Sequence, residues 1–257
     1  MNLFLDMKLD EQYTSQSQKI RVLTEDWVYK QAYCPNCGQL NIGKYENNRP
    51  VADFFCKNCK EDYELKSKKG FIGKKVVDGA YRTMIDCLQS ENNSNFFLLN
   101  YSLQNYSVLN FFVIPKHFFV PDIIEKRKPL SETARRAGWV GCNILLASIP
   151  NSGKIFLVKN GSIEKKEKVI INWKKTLFLR DEKDISSKGW LLDIMNCVEK
   201  FRNKEFSLEE VYAFENFLSL KHPNNKHVKD KIRQQLQMLR DRGYLKFLSR
   251  GKYQLIE

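Results

Sequence analysis

"PVADFFCKNCKEDYELKSKKG", residues 50–70, places three kinds of chemistry within 21 residues. The stretch contains an aspartate, Asp53, then a Cys-x-x-Cys pair, and then Glu64 and Lys66 in a Glu-Leu-Lys tripeptide. Cysteine pairs of this kind bind soft metal ions, whereas carboxylates bind hard ones. The stretch therefore predicts half of a zinc site, half of a catalytic metal centre, or both folded together.

The Cys-x-x-Cys pair of this stretch has a counterpart upstream, separated from it by eighteen residues. Four of the seven cysteines form these two pairs: Cys34, Cys37, Cys56 and Cys59. The spacing is typical of a four-thiolate zinc site, in which all positions of the metal are filled and the zinc is structural. Four unrelated buried thiols and a redox dithiol are the alternatives. An odd number of cysteines argues against a secreted disulfide framework and indicates a reducing compartment.

The carboxylates predict a second metal site, whose residues lie on both sides of the second cysteine pair in the sequence. "VADFF" and "YELKS" predict two strands that pair as a hairpin, and residues i and i+2 of a strand share a face. Glu64 and Lys66 should therefore point together, with Leu65 turned into the core and Asp53 opposite Glu64. Two carboxylates and the Leu65 carbonyl offer hard oxygen ligands for Mg²⁺, and Lys66 can orient water or stabilise phosphate charge. A surface strand with solvated charges is the alternative, because these residue types are common.

Charge points to a polyanionic partner. The chain of 257 residues has 43 basic and 30 acidic side chains, a formal net charge of +13. Such a balance most often indicates nucleic acid, and a basic protein without that role is the alternative. No run of 18 apolar residues predicts a membrane span, and the first residues do not resemble a signal peptide. We therefore expect a cytoplasmic protein.

The first two thirds of the chain mix strands and helices. "NFFLLNYS", "SVLNFFVIPKHF" and "KIFLVKNG" predict strands, because they are dense in aromatic and branched residues. "LTEDWVYKQAY" predicts a short helix with Thr24 as its N-cap, and "KKVVDGAYRTMIDCLQS" has apolar residues at helical spacing. This pattern favours an α/β or α+β domain over residues 1–182.

The pattern changes in residues 183–257, where three helical segments are followed by two short strands. Ser207 and Glu210 form a capping box at the second segment, and Gly243 ends the third. Three helices and a hairpin in this order predict a winged helix-turn-helix domain.

Two surfaces are predicted to contact DNA. The third helix has one apolar face and one polar, basic face, which favours a recognition helix followed by a basic wing. The candidate contacts of this domain are Lys226, His227, Lys231, Arg233, Gln234, Gln237, Arg250 and Lys252. A protein–protein module is the alternative. In "TARRAGWVG", Arg135 and Arg136 could contact phosphate or guanine and Trp139 could stack on a base, or Trp139 could anchor a loop to the core.

Taken together, these motifs closely resemble the DpnI family of methyl-directed, type IIM restriction endonucleases, over essentially the whole chain. The resemblance is carried by "LTEDWVYKQAYCPNCG", "NNRPVADFFC", "YELKSKKG", "RKPLSETARRAGWVGCNI" and "KIRQQLQMLRDRGYLKFLSRGKY". It implies an α/β (α+β) core of the PD-(D/E)xK nuclease type with an embedded zinc site, followed by a winged helix. It also implies Mg²⁺-dependent cleavage of double-stranded DNA at GATC containing N6-methyladenine, leaving 5′-phosphates.

Carried over residue by residue, the resemblance assigns catalysis to Asp53, Glu64 and Lys66 and zinc binding to the four paired cysteines. All seven residues are present. The motif's proline lies at Pro50, three residues before Asp53. We expect a monomer in solution. A non-enzymatic regulator built from a zinc ribbon and a winged helix is the second hypothesis, and only the three catalytic candidates separate the two.

Overall fold

The computed structural model describes residues 1–9, 14–46, 52–90 and 93–256. Pro50 and Val51, which precede the predicted catalytic aspartate, lie outside the described residues. The chain divides into two compact units. The first consists of Met1–Leu146 with Ser152–Thr176, and the second of Ala147–Asn151 with Leu177–Glu257.

The first unit contains two β-sheets and three α-helices among the described residues. Its strands are β1 Gly43–Lys44, β2 Phe54–Phe55, β3 Asp62–Lys69, β4 Lys75–Ala80, β5 Asn95–Ser102, β6 Ser107–Ile114, β7 Ile124–Lys126, β8 Gly141–Leu145, β9 Ile155–Lys159 and β10 Ser162–Ile163. Its helices are α1 Gln16–Gln31, α2 Tyr81–Gln89 and α3 Lys166–Lys174. Short 3-10 helices along the chain are Met7–Leu9, Lys116–Phe118, Pro121–Ile123, Leu146–Ser148, Asn151–Gly153 and Leu177–Arg180.

The larger sheet places the catalytic candidates at its centre. Its order in the described chain is β1-β2-β3-β5-β6-β9-β10, and the smaller sheet has the order β4-β8-β7. β3 and β5 run parallel, with Glu64 beside Phe96 and Lys66 beside Leu98, while β5 and β6 run antiparallel. A parallel pair needs a crossover connection, and β4 with α2 supplies it between β3 and β5. The strands predicted over "NFFLLNYS", "SVLNFFVI" and "IFLVK" are confirmed.

A row of contacting aromatic side chains packs α1 against this sheet. Tyr63 of β3 stacks on Phe97 with ring centroids 4.4 Å apart, and Phe97 contacts Phe111 at 4.9 Å. Trp27 of α1 meets Phe111 edge-on at 5.3 Å. Each of these rings is buried, so the core passes directly behind the strand that bears Glu64 and Lys66.

The prediction of Thr24 as a helix N-cap is wrong. Helix α1 begins at Gln16, with Ser15 before it, and Thr24 lies in its middle. The Thr24 hydroxyl donates a hydrogen bond to the Ile20 carbonyl at 2.8 Å, a bond within the helix that competes with capping. The first turns of α1 give little signal in the sequence because the helix has only a weak apolar stripe.

The helix predicted over "KKVVDGAYRTMIDCLQS" is half right. Helix α2 begins only at Tyr81, and residues Lys75–Ala80 form strand β4. β4 pairs antiparallel with β8, more than sixty residues away along the chain. A tertiary pairing of this kind overrides local spacing, and branched residues such as Val76 and Val77 favour a strand.

The second unit has the element order of a winged helix. Its elements are α4 Ile185–Val198, β11 Glu205–Ser207, α5 Leu208–Tyr212, α6 Glu215–Lys221, α7 Val228–Asp241, β12 Leu245–Ser249 and β13 Lys252–Leu255. The three strands pair in the order β11-β13-β12 within the described region. The capping box of Ser207 and Glu210 is confirmed, and Gly243 follows α7 with φ +72°. The second predicted helix is interrupted between Tyr212 and Glu215 and forms two short helices.

In the described parts of the chain, no helix combines the length and the apolar character that crossing a membrane requires.

Candidate active site and four-cysteine cluster

Strand pairing places Asp53 beside the Glu64–Lys66 segment. In the β2–β3 hairpin Phe54 lies opposite Tyr63, and the Asp53 N–H donates to the Tyr63 carbonyl at 2.9 Å. The Asp53 carboxylate accepts a hydrogen bond from the Leu65 N–H at 2.7 Å. The predicted hairpin therefore forms, although β2 is only two residues long. Leu65 is half-buried and does not reach the core as fully as predicted.

Lys66 lies between two carboxylates. Its ammonium contacts Glu64 Oε1 at 2.6 Å, because residues i and i+2 of β3 share a face. It also contacts the carboxylate of Asp78 on β4, whose side chain is only 5% exposed. A ring of the core, that of Phe96, lies 5.8 Å from the ammonium. Asp78 thus provides a second carboxylate contact that fixes Lys66.

Burial shifts the proton affinity of all three predicted catalytic groups. It raises the pKa of Glu64 to about 7; Lys66 opposes this shift, and Asp78 adds to it. Burial also raises the pKa of Asp53, against the hydrogen bond from the Leu65 N–H. For Lys66, burial alone would lower the pKa, but the charges of Glu64 and Asp78 outweigh burial and raise it. Lys66 is therefore held as a cation.

Helix α1 contributes charges to the surroundings of Asp53. Glu25 is 6% exposed and binds Arg21 Nε at 2.6 Å and Lys44 Nζ at 2.9 Å. The negative charge of Glu25 raises the pKa of Asp53, and the positive charge of Arg21 lowers it. The helix therefore completes the electrostatic environment of the site.

The donor set fits a hard divalent cation. Asp53 Oδ1 and Glu64 Oε2 accept no hydrogen bond from any described residue, while the other oxygen of each carboxylate is occupied. Both carboxylates have raised pKa values, so their charge is incompletely balanced by the protein. Oxygen ligands with uncompensated negative charge suit Mg²⁺.

The four predicted cysteines converge. Their sulfur atoms all lie within 4.8 Å of one another. Cys34 and Cys59 approach to 3.4 Å, and Cys37 and Cys56 to 3.6 Å. A tetrahedron with Zn–S bonds of about 2.3 Å has sulfur atoms about 3.8 Å apart. The cluster could therefore hold zinc, and all four positions would be filled by protein.

The cysteine cluster is joined to β3, the strand that bears Glu64 and Lys66, through a hydrogen bond at Cys34. The Cys34 sulfur lies 3.0 Å from the Tyr63 hydroxyl, and Tyr63 directly precedes Glu64. Each Cys-x-x-Cys pair forms a turn, which we call a knuckle. In the second knuckle, the Cys56 N–H donates a hydrogen bond to the Glu61 carbonyl at 2.9 Å. The first knuckle turns at Gly38 with φ +77°, where an added Cβ would lie 2.7 Å from Ile170.

The structure brings two of the three candidates of the β7–β8 connection, Arg136 and Trp139, into contact. The Arg136 guanidinium lies 4.7 Å above the Trp139 ring. The ring also packs on Gly141, where an added Cβ would lie 2.8 Å from it, so Trp139 is half-buried. Arg135 is exposed. Whether Trp139 contacts a base remains a prediction, since its packing also supports an anchoring role.

The candidates of the second unit lie just before α7, on α7 and on the wing. Val228, Ile232, Leu236 and Leu239 are buried, which confirms the apolar face of α7. Most of the predicted DNA contacts are exposed: Lys226, His227, Arg233, Gln234, Gln237, Arg250 and Lys252. Lys231 is half-buried. Arg233 also engages neighbours in its own unit, the Tyr212 hydroxyl and Asp230, the latter at 3.7 Å.

Sequence reasoning missed Asp78, Glu25 and Arg21. Asp78 lies in a segment predicted to be helical, and its contact with Lys66 depends on the pairing of β4 with β8. A strand prediction over "KKVVDGA" would have drawn attention to it. Glu25 and Arg21 approach Asp53 through the packing of α1, for which the sequence offers no local signal.

Comparison with known families agrees with this geometry. The model of the DpnI family, described as the Dam-replacing family, matches residues 1–182. A second model, described as the Dam-replacing HTH domain, matches residues 186–255. The first match covers well over half of the chain, and the second coincides with the winged helix. The chain therefore belongs to the DpnI (Dam-replacing) family, a family of methyl-directed restriction endonucleases, and carries a C-terminal DNA-binding winged helix.

Proposed function

We propose that the protein is a Mg²⁺-dependent type II endonuclease that hydrolyses both strands of DNA at GATC sites containing N6-methyladenine and leaves 5′-phosphates. The observation that carries the proposal is the convergence of Asp53, Glu64 and Lys66 at one end of the β2–β3 hairpin. The base sequence and the methylation requirement rest on the family resemblance. The family matches support a catalytic domain of residues 1–182 and a winged-helix domain of residues 183–257.

In the proposed site, Asp53, Glu64 and the Leu65 carbonyl would hold Mg²⁺. When bound, the ion supplies Lewis acidity toward the scissile phosphate and lowers the pKa of its water. Lys66 stays protonated between Glu64 and Asp78. It therefore acts as a fixed positive charge that stabilises negative charge developing on the phosphate, rather than as a proton acceptor.

The zinc-binding role of Cys34, Cys37, Cys56 and Cys59 is structural in this proposal. The second knuckle occupies the turn between β2 and β3, so a bound zinc would fix the distance between Asp53 and Glu64. Four thiolates leave no open position, which excludes zinc from the chemistry. We place the protein in the cytoplasm, where such thiolates stay reduced, as a monomer.

In this proposal, each of the two units recognises a methylated site. The N6-methyl group lies in the major groove, and burial of one methyl in an apolar pocket stabilises by roughly 0.8 kcal/mol. That free energy gives only a several-fold preference. We therefore propose that Trp139 with its arginine neighbours in the first unit, and α7 with the wing in the second, each read a methylated site.

A single digestion series tests the proposal. Duplexes with one GATC site are prepared fully methylated, hemimethylated and unmethylated, and each is incubated with Mg²⁺ or with a chelator. We expect cleavage of the fully methylated duplex in Mg²⁺ alone, with 5′-phosphate ends detected by direct ligation. If the protein binds every duplex in a gel shift but cuts none of them, the DNA-binding regulator is favoured and the endonuclease proposal is wrong.

A further inference from the structure

A basic segment with an exposed aromatic side chain connects strands β3 and β4 beside the candidate active site. The contact between Lys66 and Asp78 joins the two ends of the segment between them, residues 67–77, which we call the β3–β4 arm. Phe71 lies in this arm and is 84% exposed, more than any other aromatic side chain that the structure describes. The arm therefore begins and ends at the catalytic centre and presents a phenyl ring to solvent.

The backbone next to Phe71 is held in place by hydrogen bonds. The Gly70 N–H donates to the Tyr101 carbonyl at 2.9 Å, and the Gly70 carbonyl accepts from Asn100 Nδ2 at 2.5 Å. Asn100 is buried, with 2% of its surface exposed. Gly70 has φ +66°, a conformation that other residues rarely adopt, and it turns the chain away from β5. Phe71 is thus held outward from an ordered stem.

Three lysines are close to Phe71 in the sequence: Lys68 and Lys69 at the end of β3, and Lys74 just before β4. All three are exposed, and none forms an ion pair with an acidic side chain among the described residues. Lys75, by contrast, pairs with Glu125 at 2.5 Å, so its charge is already engaged. Unpaired ammonium groups bind backbone phosphates, and apolar side chains beside such groups insert between base pairs in proteins that bend DNA. Charge complementarity therefore identifies duplex DNA as the partner.

The arm is short enough to act next to the cut. Phe71 lies five residues beyond Lys66. Five residues span at most about 17 Å when fully extended. That length corresponds to about five base-pair steps of 3.4 Å along one strand.

We propose that the β3–β4 arm binds the duplex beside the scissile phosphate and that Phe71 inserts at a base step within about five base pairs of the cut. Lys68, Lys69 and Lys74 hold the phosphates on either side, and the ring unstacks the step. The inference deepens the proposed function and depends on it, since the duplex is the substrate held at the same site.

Fluorescence of 2-aminopurine tests the insertion. The base is quenched while stacked, so it is placed singly at each of five positions on either side of GATC in a fully methylated duplex. The full-length protein is added with Ca²⁺ in place of Mg²⁺, and a gel confirms that the duplex stays intact. We expect at least a twofold rise at one position with the wild-type chain. Phe71→Ala should remove the rise, while Ile163→Ala, an exposed apolar residue at the far edge of the sheet, should retain it.

The outcomes separate this inference from the proposed function. If Phe71→Ala gives the same rise in fluorescence as the wild type, the insertion of Phe71 is wrong. The same follows if a wild-type chain that binds and cuts gives no rise at any position. Either result leaves the endonuclease proposal intact. A wild-type chain that does not bind the duplex would overturn both. A variant with Lys68, Lys69 and Lys74 changed to alanine should lower the slope of log affinity against log salt by about 0.9 for each phosphate that it no longer binds. An unchanged slope would contradict the role of the arm.

Discussion

At the scale of single residues, Lys66 is held in place by two carboxylates. Its ammonium contacts the carboxylates of Glu64 and Asp78 and lies 5.8 Å from the ring of Phe96. Two anionic neighbours keep it charged, so the contribution to catalysis that we propose for Lys66 is an electrostatic one that alanine cannot replace.

We expect Lys66→Ala to lower the rate of cleavage on the order of 10³-fold, while the affinity for methylated duplex changes little. Lys174→Ala, which removes an exposed lysine of α3, is the matched control. Single-turnover cleavage and a gel shift in Ca²⁺ measure the two quantities. If Lys66→Ala cuts at the wild-type rate, the role assigned to Lys66 is wrong.

Glu64 should make cation binding depend on pH near neutrality. Burial raises its pKa to about 7, and a hard cation binds its carboxylate only after the proton has left. Below pH 7 the proton must be displaced and binding weakens; above pH 7 the charge is already present. We expect Ca²⁺ affinity to rise about tenfold between pH 6 and pH 8, measured by calorimetry. Glu64→Gln should bind Ca²⁺ weakly at both pH values. Equal Ca²⁺ affinities of the wild-type chain at pH 6 and pH 8 would contradict the role assigned to Glu64.

At the scale of elements, the β2–β3 hairpin and the cysteine knuckles act as one piece. The turn between the strands contains two of the four thiols, and Tyr63 of β3 contacts the cluster through Cys34. Displacement of the cluster would therefore shift Asp53 relative to Glu64, even though neither residue is altered.

Removal of zinc should stop cleavage without touching a catalytic side chain. We expect Cys37→Ala to reduce the zinc content from about one ion per chain toward zero and to abolish cleavage in saturating Mg²⁺. Cys197→Ala, which changes a buried thiol of α4 outside the cluster, should retain both. Metal content is measured by atomic absorption. A zinc-free variant that still cuts would show that the knuckles are dispensable for the geometry of the site.

The elements also show how far sequence reasoning reaches. The apolar runs of β5, β6 and β9 and the spacing of the cysteines are local patterns, and they predict both the strands and the cluster. Local spacing predicts a helix over β4, which is wrong because its partner β8 lies far along the chain. Asp78 escapes sequence reasoning for the same reason, since its function depends on the contact with Lys66 that this pairing creates.

At the scale of the whole molecule, a chain with net charge +13 presents candidate DNA contacts in both units. Two linked contacts to one duplex strengthen binding, because the second forms at a high effective concentration. The proposal that each unit reads a methylated site therefore predicts that neither unit alone reproduces the activity of the full chain.

The isolated fragment 1–182 should cut methylated plasmid more slowly than the full chain at equal concentration, on the order of tenfold or more. The fragment leaves Ala147–Asn151 without its partners in α4 and the residue that follows it, Asn196 and Glu199, so circular dichroism must first confirm that it is folded. Equal rates for a folded fragment and the full chain would show that the second unit is not needed as a reader.

The interleaving of the two sets of side chains also limits how such an enzyme can change over evolutionary time. Cys56 and Cys59 lie between Asp53 and Glu64 on one hairpin, so a deletion that removes these two thiols also shortens the connection that holds the two carboxylates opposite each other. Loss of a single thiolate would disturb the hairpin before any replacement contact exists. We therefore expect natural variants that remain active to retain all four cysteines, or to have exchanged the entire turn for a different one in a single event.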